Sequence, residues 1–223
     1  MKKLKGFLIM AMVICAVSCS KDDGPFLEYG DNYQGGIVFY ILKNGDKGYV
    51  PGETHGLIAS FEDLQTSDGE FEVPWGCCPD KFKFPNEVCL NITGSENEGI
   101  GYGQKNTQAI LEVCDEPNIA ARLCDDYSIE FEGEVYDDWY LPTYKEITKM
   151  NKPKEYILEH AITYWTSTQH KNREPSQQYA IQVFGWVDQC GPPYPYDEAC
   201  WHVGSFGGEQ KWIKSRVRAV RSF

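Results

Sequence analysis

The 223-residue chain has no two cysteines at C-x-x-C spacing, although it carries nine cysteines in all. Its four histidines, His55, His160, His170 and His202, are scattered. Structural zinc sites gather Cys and His at short fixed intervals, so no metal or other cofactor is expected. There is no phosphate-cradling glycine loop, no Gly-x-y tract and no repeat at solenoid periods. The one long uncharged apolar run, residues 6–18, is shorter than the roughly 20 residues a membrane-crossing helix needs. Basic residues are also scarce, 21 Lys and Arg against 33 Asp and Glu. Polyanion binding requires basic patches, so nucleic acid is not an expected partner.

What is present is enough to fold. Aromatic residues make up 14% of the chain, with six Trp and fourteen Tyr, too many for a disordered polymer. A chain of this length can bury one sizeable core.

The N-terminus reads as an export signal. Met1-Lys2-Lys3-Leu4-Lys5 is a positive start, and the short apolar run follows. It ends in Ala16-Val17-Ser18-Cys19, which resembles a bacterial lipobox. That resemblance makes Cys19 the lipidated first residue of the mature chain, anchored by several acyl chains at about 0.8 kcal/mol per buried CH2. Ser20-Lys21-Asp22-Asp23 resembles the surface-export signal of Bacteroidetes lipoproteins. The expected location is the outer membrane, lipid-anchored and facing outward. Removing residues 1–18 takes away three lysines and no acid, leaving 18 basic and 33 acidic side chains and a net charge of −15.

An exported chain meets an oxidising compartment, where disulfides are the default. The expected bridges are Cys114 with Cys124, Cys190 with Cys200, and Cys89 with Cys77 or Cys78. Each closes a short loop, stabilising by about 2–3 kcal/mol, and one cysteine of the Cys77-Cys78 pair is left over.

Local patterns give a mixed α+β chain. Residues 37–42, IVFYIL, form a solid apolar run and read as a buried strand. Asn44-Gly45 marks a hairpin turn, with strands resuming at 49–50 and 55–60. Residues 61–105 read as a long loop. Two helices follow, one over 106–114 capped by Asn106 or Thr107, and one over 119–127 begun by Pro117. The break between them would let Cys114 and Cys124 meet. Thr143 and Glu146 fit a capping box that starts a helix to about Met150. Residues 164–169 and 178–185 read as strands, 186–210 as loop, and 211–223 as a closing strand.

Six segments then occur in order: GGIVFYI, HGLIAS, NTQAI with its following cysteines, DWYLP, YWTST and RVRAVRSF. Together they resemble the C-terminal domain family of the Legionella collagen-like adhesin, over about residues 33–223. The resemblance implies a C-type-lectin-like single domain, α+β, with paired terminal strands, two to three helices and long disulfide-tied loops. It divides the chain into a signal (1–18), a lipidated tether (19–33) and a ligand-binding domain (34–223) with an insertion at 61–105. It implies adhesion or ligand binding, with sulfated glycans as the ligands of the adhesin itself. A net charge of −15 opposes the approach of a polysulfated ligand.

The segment 184–206 is the first candidate for a binding surface. It carries Trp186, Tyr194, Tyr196, Trp201 and His202 around the expected Cys190–Cys200 bridge, with Asp188, Gln189, Asp197 and Glu198 as acceptors. Glu116-Pro117-Asn118 matches a calcium-binding triplet of C-type lectins, but it sits at a helix bend and lacks the other oxygen ligands. Asp138 reads as a partner for backbone or arginine. Arg216, Arg218 and Arg221 read as partners for acids, and Trp139, Leu141, Trp165 and Trp212 as core. No nucleophile–base pair is visible. The expected function is a non-enzymatic, surface-tethered module for a glycan or a protein ligand. The alternative is a structural subunit of a surface or fimbrial assembly.

Overall fold

The computed structural model describes residues 26–79, 88–152, 155–159, 162–171, 179–188 and 201–223. Two short strands open it, β1 (Asn32–Tyr33) and β2 (Gly36–Ile41), followed by β3 (Gly56–Ser60) and β4 (Val73–Pro74). Helices α1 (Gly103–Leu111) and α2 (Ala120–Asp125) come next, then the hairpin β5 (Ile129–Phe131) and β6 (Glu134–Tyr136). After α3 (Tyr144–Ile147) come β7 (Asn151–Lys152), β8 (Glu155–Tyr156), β9 (Thr163–Gln169) and β10 (Tyr179–Asp188). The chain closes with β11 (Trp201–Gln210), β12 (Lys214–Ser215) and β13 (Val220–Ser222). The fold is α+β, and every pair of named strands is antiparallel.

The first sheet has the order β1-β2-β3-β13. The terminal strands therefore share a sheet without pairing directly. β13 lies on β3, with Val220 opposite Ala59, and β3 separates it from β2. β3 is buried along its whole length and needs a partner on each side. Tyr33 of β1 still meets Phe223, with the two ring centres 5.2 Å apart. Asn44-Gly45 does turn the chain, with Asp46 N donating to Lys43 O at 2.9 Å. The β2–β3 connection is nevertheless longer than a hairpin turn, and residues 49–50 are not strand.

Three further expectations change. Residues 186–210 are not loop throughout: β10 runs to Asp188, and β11 pairs with it from Trp201 to Gln210. The closing strand is broken into β12 and β13, and β12 pairs with β4. Helix α1 begins at Gly103, ahead of both Asn106 and Thr107, and its N-cap residue Tyr102 makes no side-chain cap. The cap comes from elsewhere, as described below. The Thr143–Glu146 capping box is present, with Thr143 Oγ1 accepting from Glu146 N. The helix behind it is a single turn.

The expected bridge Cys114–Cys124 is not made. Cys114 pairs with Cys77, and Cys78 pairs with Cys89. Cys114 sits on the α1–α2 bend, and Cys77 turns toward it with a φ of +59°. Cys124 is inside α2, fully buried among apolar side chains, and is the free cysteine of the described residues. Burial pushes its thiol pKa well up, which keeps it protonated. The expected Cys190–Cys200 bridge lies outside the described residues.

The described residues of segment 61–105, although poor in regular structure, are part of the core. Trp75 and Ile92 are fully buried with Trp165 of β9. The two indoles tie the segments reciprocally. Trp75 Nε1 donates to Thr166 O at 2.8 Å, and Trp165 Nε1 donates to Val73 O at 2.9 Å. Each satisfies a buried donor that would otherwise be costly. Lys211 is fully buried beside them. Its Nζ donates to Gln169 Oε1 at 2.7 Å and Leu90 O at 3.0 Å, and lies 4.3 Å from the Trp75 ring centre. Burial lowers its pKa to about 7.

Candidate functional site

Two concave surfaces compete as binding places. The first is a cleft of about 720 Å3 between residues 61–67, the α1–α2 bend and residues 126–129. The second is a groove of about 880 Å3 where the β2–β3 connection meets residues 99–102 and the start of α3.

The groove is built by a close approach. Gly101 has a φ of +80°, and a Cβ placed there would lie 2.5 Å from Lys47 O. Only glycine meets both demands, the backbone conformation and the contact. Gly101 N donates to Glu146 Oε1 at 2.7 Å, and Gly103 N donates to the same oxygen at 3.3 Å. Glu146 Oε2 accepts from Thr143 N at 2.8 Å. One buried carboxylate thus caps α3 by its local box and also satisfies the first turn of α1 from 43 residues away. Burial raises the Glu146 pKa to about 7, against the lowering effect of these backbone donors. Glu146 holds the wall of the groove in place, while its sequence neighbour Lys145 lines the opening.

Tyr49 and Tyr102 offer aromatic surface in the groove, and Asn44, Asp46, Lys47 and Lys145 offer polar groups. Both rings are half-buried, leaving part of each to solvent. The Lys47 ammonium lies 4.6 Å from the Tyr102 ring centre. Asp46 Oδ2 accepts from Tyr40 Oη at 2.9 Å and from Lys43 N at 2.8 Å, which fixes its carboxylate. Burial first, then this acid, pushes the Tyr40 pKa to about 12. Flat rings flanked by fixed hydrogen-bonding groups match what a sugar presents: apolar C–H faces ringed by hydroxyls.

The cleft is differently equipped. Asp63 is buried there and meets Arg216 at 2.9 Å and Arg218 at 2.8 Å. Tyr164 Oη also donates to it at 2.9 Å. Its aromatic rings are engaged: Tyr127 packs edge-on against Trp139 at 5.2 Å, and Phe61 against Phe131 at 6.0 Å. The cleft residues therefore serve the core more than a ligand.

The residues singled out from the sequence fall in several places. Trp186 lies opposite Val203, Val187 opposite His202, and Asp188 opposite Trp201 on the β10–β11 pair. Tyr194, Tyr196, Asp197 and Cys19 lie outside the described residues. Glu116 approaches the Cys77–Cys114 bridge, and Cys77 N donates to its Oε2 at 3.4 Å. The two sulfurs are bonded to each other, which leaves that trio one free ligand atom. Asp138 takes a bidentate contact from Arg221, at 2.5 and 3.1 Å. Arg216 and Arg218 pair with acids as expected. Trp139, Leu141 and Trp165 are core, and Trp212 is half-buried.

The groove residues Tyr49, Tyr102, Lys47 and Lys145 escaped the sequence reading. One signal was available: lysines on both sides of an Asn-Gly turn in an acid-rich chain.

No family model, no curated protein and no solved structure matches the chain. Among the described residues, no helix is long and apolar enough to cross a membrane.

Proposed function

We propose that this protein is a non-enzymatic binding module that recognises glycan, tethered to the outer membrane through lipid on Cys19 and facing outward. The observation that carries the reading is the groove, with Tyr49 and Tyr102 beside Asn44, Asp46, Lys47 and Lys145. It is open and polar, and its walls are set by a glycine contact and a buried carboxylate. Such preorganisation limits the ordering cost of binding a weakly held ligand. The six ordered segments that resemble the collagen-like adhesin's C-terminal family, and the C-type-lectin-like architecture that this resemblance implies, support the same reading.

A glycan array with the purified protein tests it. The expected result is reproducible hits that fall at least tenfold on Tyr49→Ala or Tyr102→Ala, with an unchanged circular dichroism spectrum. Hits lost instead on Trp186→Ala or Trp201→Ala would move the site to the 184–206 segment. A silent array would overturn the glycan reading and leave the assembly-subunit alternative. The anchor is tested by metabolic labelling with a fatty acid, which Cys19→Ser abolishes.

A further inference from the structure

Outside the groove, every described arginine has an acidic partner. Arg122 meets Asp125 at 3.5 Å, Arg216 meets Asp63 and Glu159, Arg218 meets Asp63, and Arg221 meets Asp138. No described lysine, in the groove or elsewhere, has a described carboxylate within ion-pair range, and what sets the groove apart is that four of them gather around it. Lys47 and Lys145 line it, and Lys43 and Lys149 line an adjoining hollow of about 410 Å3 around Tyr40. All four are exposed, and among the described residues none has a carboxylate in ion-pair range. Four exposed cations gathered around two hollows make a local positive patch in a chain of net charge −12. Three acids stand nearby, one of them Glu146, buried behind the wall with its oxygens taken by backbone N–H groups. Asp46 lines the groove with one oxygen already accepting two hydrogen bonds, and Glu98 precedes the wall residue Gly99.

We infer that the groove takes a sugar bearing a single carboxylate, its acid group held by Lys47 and Lys145 and its ring by Tyr49 and Tyr102. The inference rests on the glycan reading and narrows it. Lys47 is aimed by its position over the Tyr102 ring, so part of its side-chain freedom is lost before a ligand arrives. Lys145 is carried on the first turn of α3, which the capping box fixes. The free oxygen of Asp46 accepts a sugar hydroxyl. The same local charge that attracts one carboxylate is embedded in an acidic surface that repels a polyanion. The pocket size agrees with a short saccharide, since sites of about 300–1,000 Å3 hold ligands of drug size.

Calorimetric titration of the full-length, detergent-solubilised protein at physiological salt decides it. The probes are paired: 3′-sialyllactose against lactose, and a galacturonate trimer against a galactose trimer, with a heparin octasaccharide as the polyanion. The expected result is an acidic member bound at least tenfold more tightly than its neutral twin. Lys47→Gln and Lys145→Gln should each bring that ratio toward one, and Lys214→Gln, on β12 away from the groove, should leave it. Equal binding of both twins overturns the carboxylate inference and leaves the glycan reading standing. Preference for heparin overturns the single-charge claim. No binding of any probe overturns the inference together with the groove as a sugar site.

Discussion

The cleft beside α2 and the groove beside α3 are similar in size, about 720 and 880 Å3, and both are lined by aromatic and charged residues. They differ in what their charges do. In the cleft, Asp63 is buried between two guanidinium groups and a tyrosine hydroxyl. In the groove, Lys47 and Lys145 meet no acid among the described residues and stay in solvent. A buried charge must be compensated within the fold, because desolvation without a partner costs several kcal/mol. An exposed charge carries no such requirement and stays available. The lesson is that a concave surface with polar lining is not by itself a site. The state of pairing separates a structural cavity from a place that can still bind.

The largest expected effect tests the cleft side of this contrast. Asp63→Ala removes the buried carboxylate that Arg216, Arg218 and Tyr164 share, leaving Arg218 with backbone carbonyls alone while Arg216 keeps Glu159. It should lower stability by about 3–5 kcal/mol in urea unfolding and leave sugar binding in the groove intact. If stability is unchanged, the pairing in the cleft is incidental and the contrast fails.

A smaller effect sharpens the groove side. Gly101→Ala introduces a Cβ against Lys47 O at a left-handed φ, and should cost about 1–3 kcal/mol by the same assay. Its effect on binding should be larger than its effect on stability, because the strain lies in the groove wall. Glycan affinity that survives the substitution would show that the wall is not the site.

The last effect is a change of slope with pH. Glu146 has a folded-state pKa raised to about 7 from an ordinary 4.5, with burial as the main cause. Its stabilising contribution is complete below about pH 4.5 and is lost as pH rises through 7. Glu146→Gln should therefore flatten the fall in stability between pH 4.5 and 7. Lys211 has the opposite sign. Its pKa is lowered from 10.5 to about 7, so its contribution is present above pH 10.5 and lost as pH falls through 7. Lys211→Met should flatten the slope above neutrality and leave the acid-side slope alone. Urea midpoints measured across pH for both variants check the two signs.

Parts of this were legible in the sequence. The strands at 36–41 and 56–60 are apolar runs, and strands buried on both faces need no alternation, while the strand at 163–169 announces itself by its threonines and its Tyr-Trp pair. The Thr143–Glu146 box is local, so its signal lies within four residues. Arg216, Arg218 and Arg221 found acids because acids are abundant. What was not legible is long-range. Glu146 caps α1 across 43 residues, and no local pattern announces that. Cys77 pairs with Cys114 because Gly76 and Cys77 turn toward the helix bend, a fact of three-dimensional approach that spacing does not encode. Strand β11 reads as loop in the sequence because its glycines, Gly204, Gly207 and Gly208, dilute the strand signal. The groove itself exists only where residues 44–51, which read as a turn and a resuming strand, meet residues 99–102 of the expected long loop.

The central claim is that the groove, and not the cleft or the 186–203 segment, holds sugar. Amide chemical-shift mapping with the glycan that gives the strongest array signal tests it most directly. The account predicts saturable shifts at residues 44–51 and 99–102, with the cleft residues 61–67 and 126–129 unmoved. Saturable shifts confined to the cleft or to residues 186–203 would contradict it.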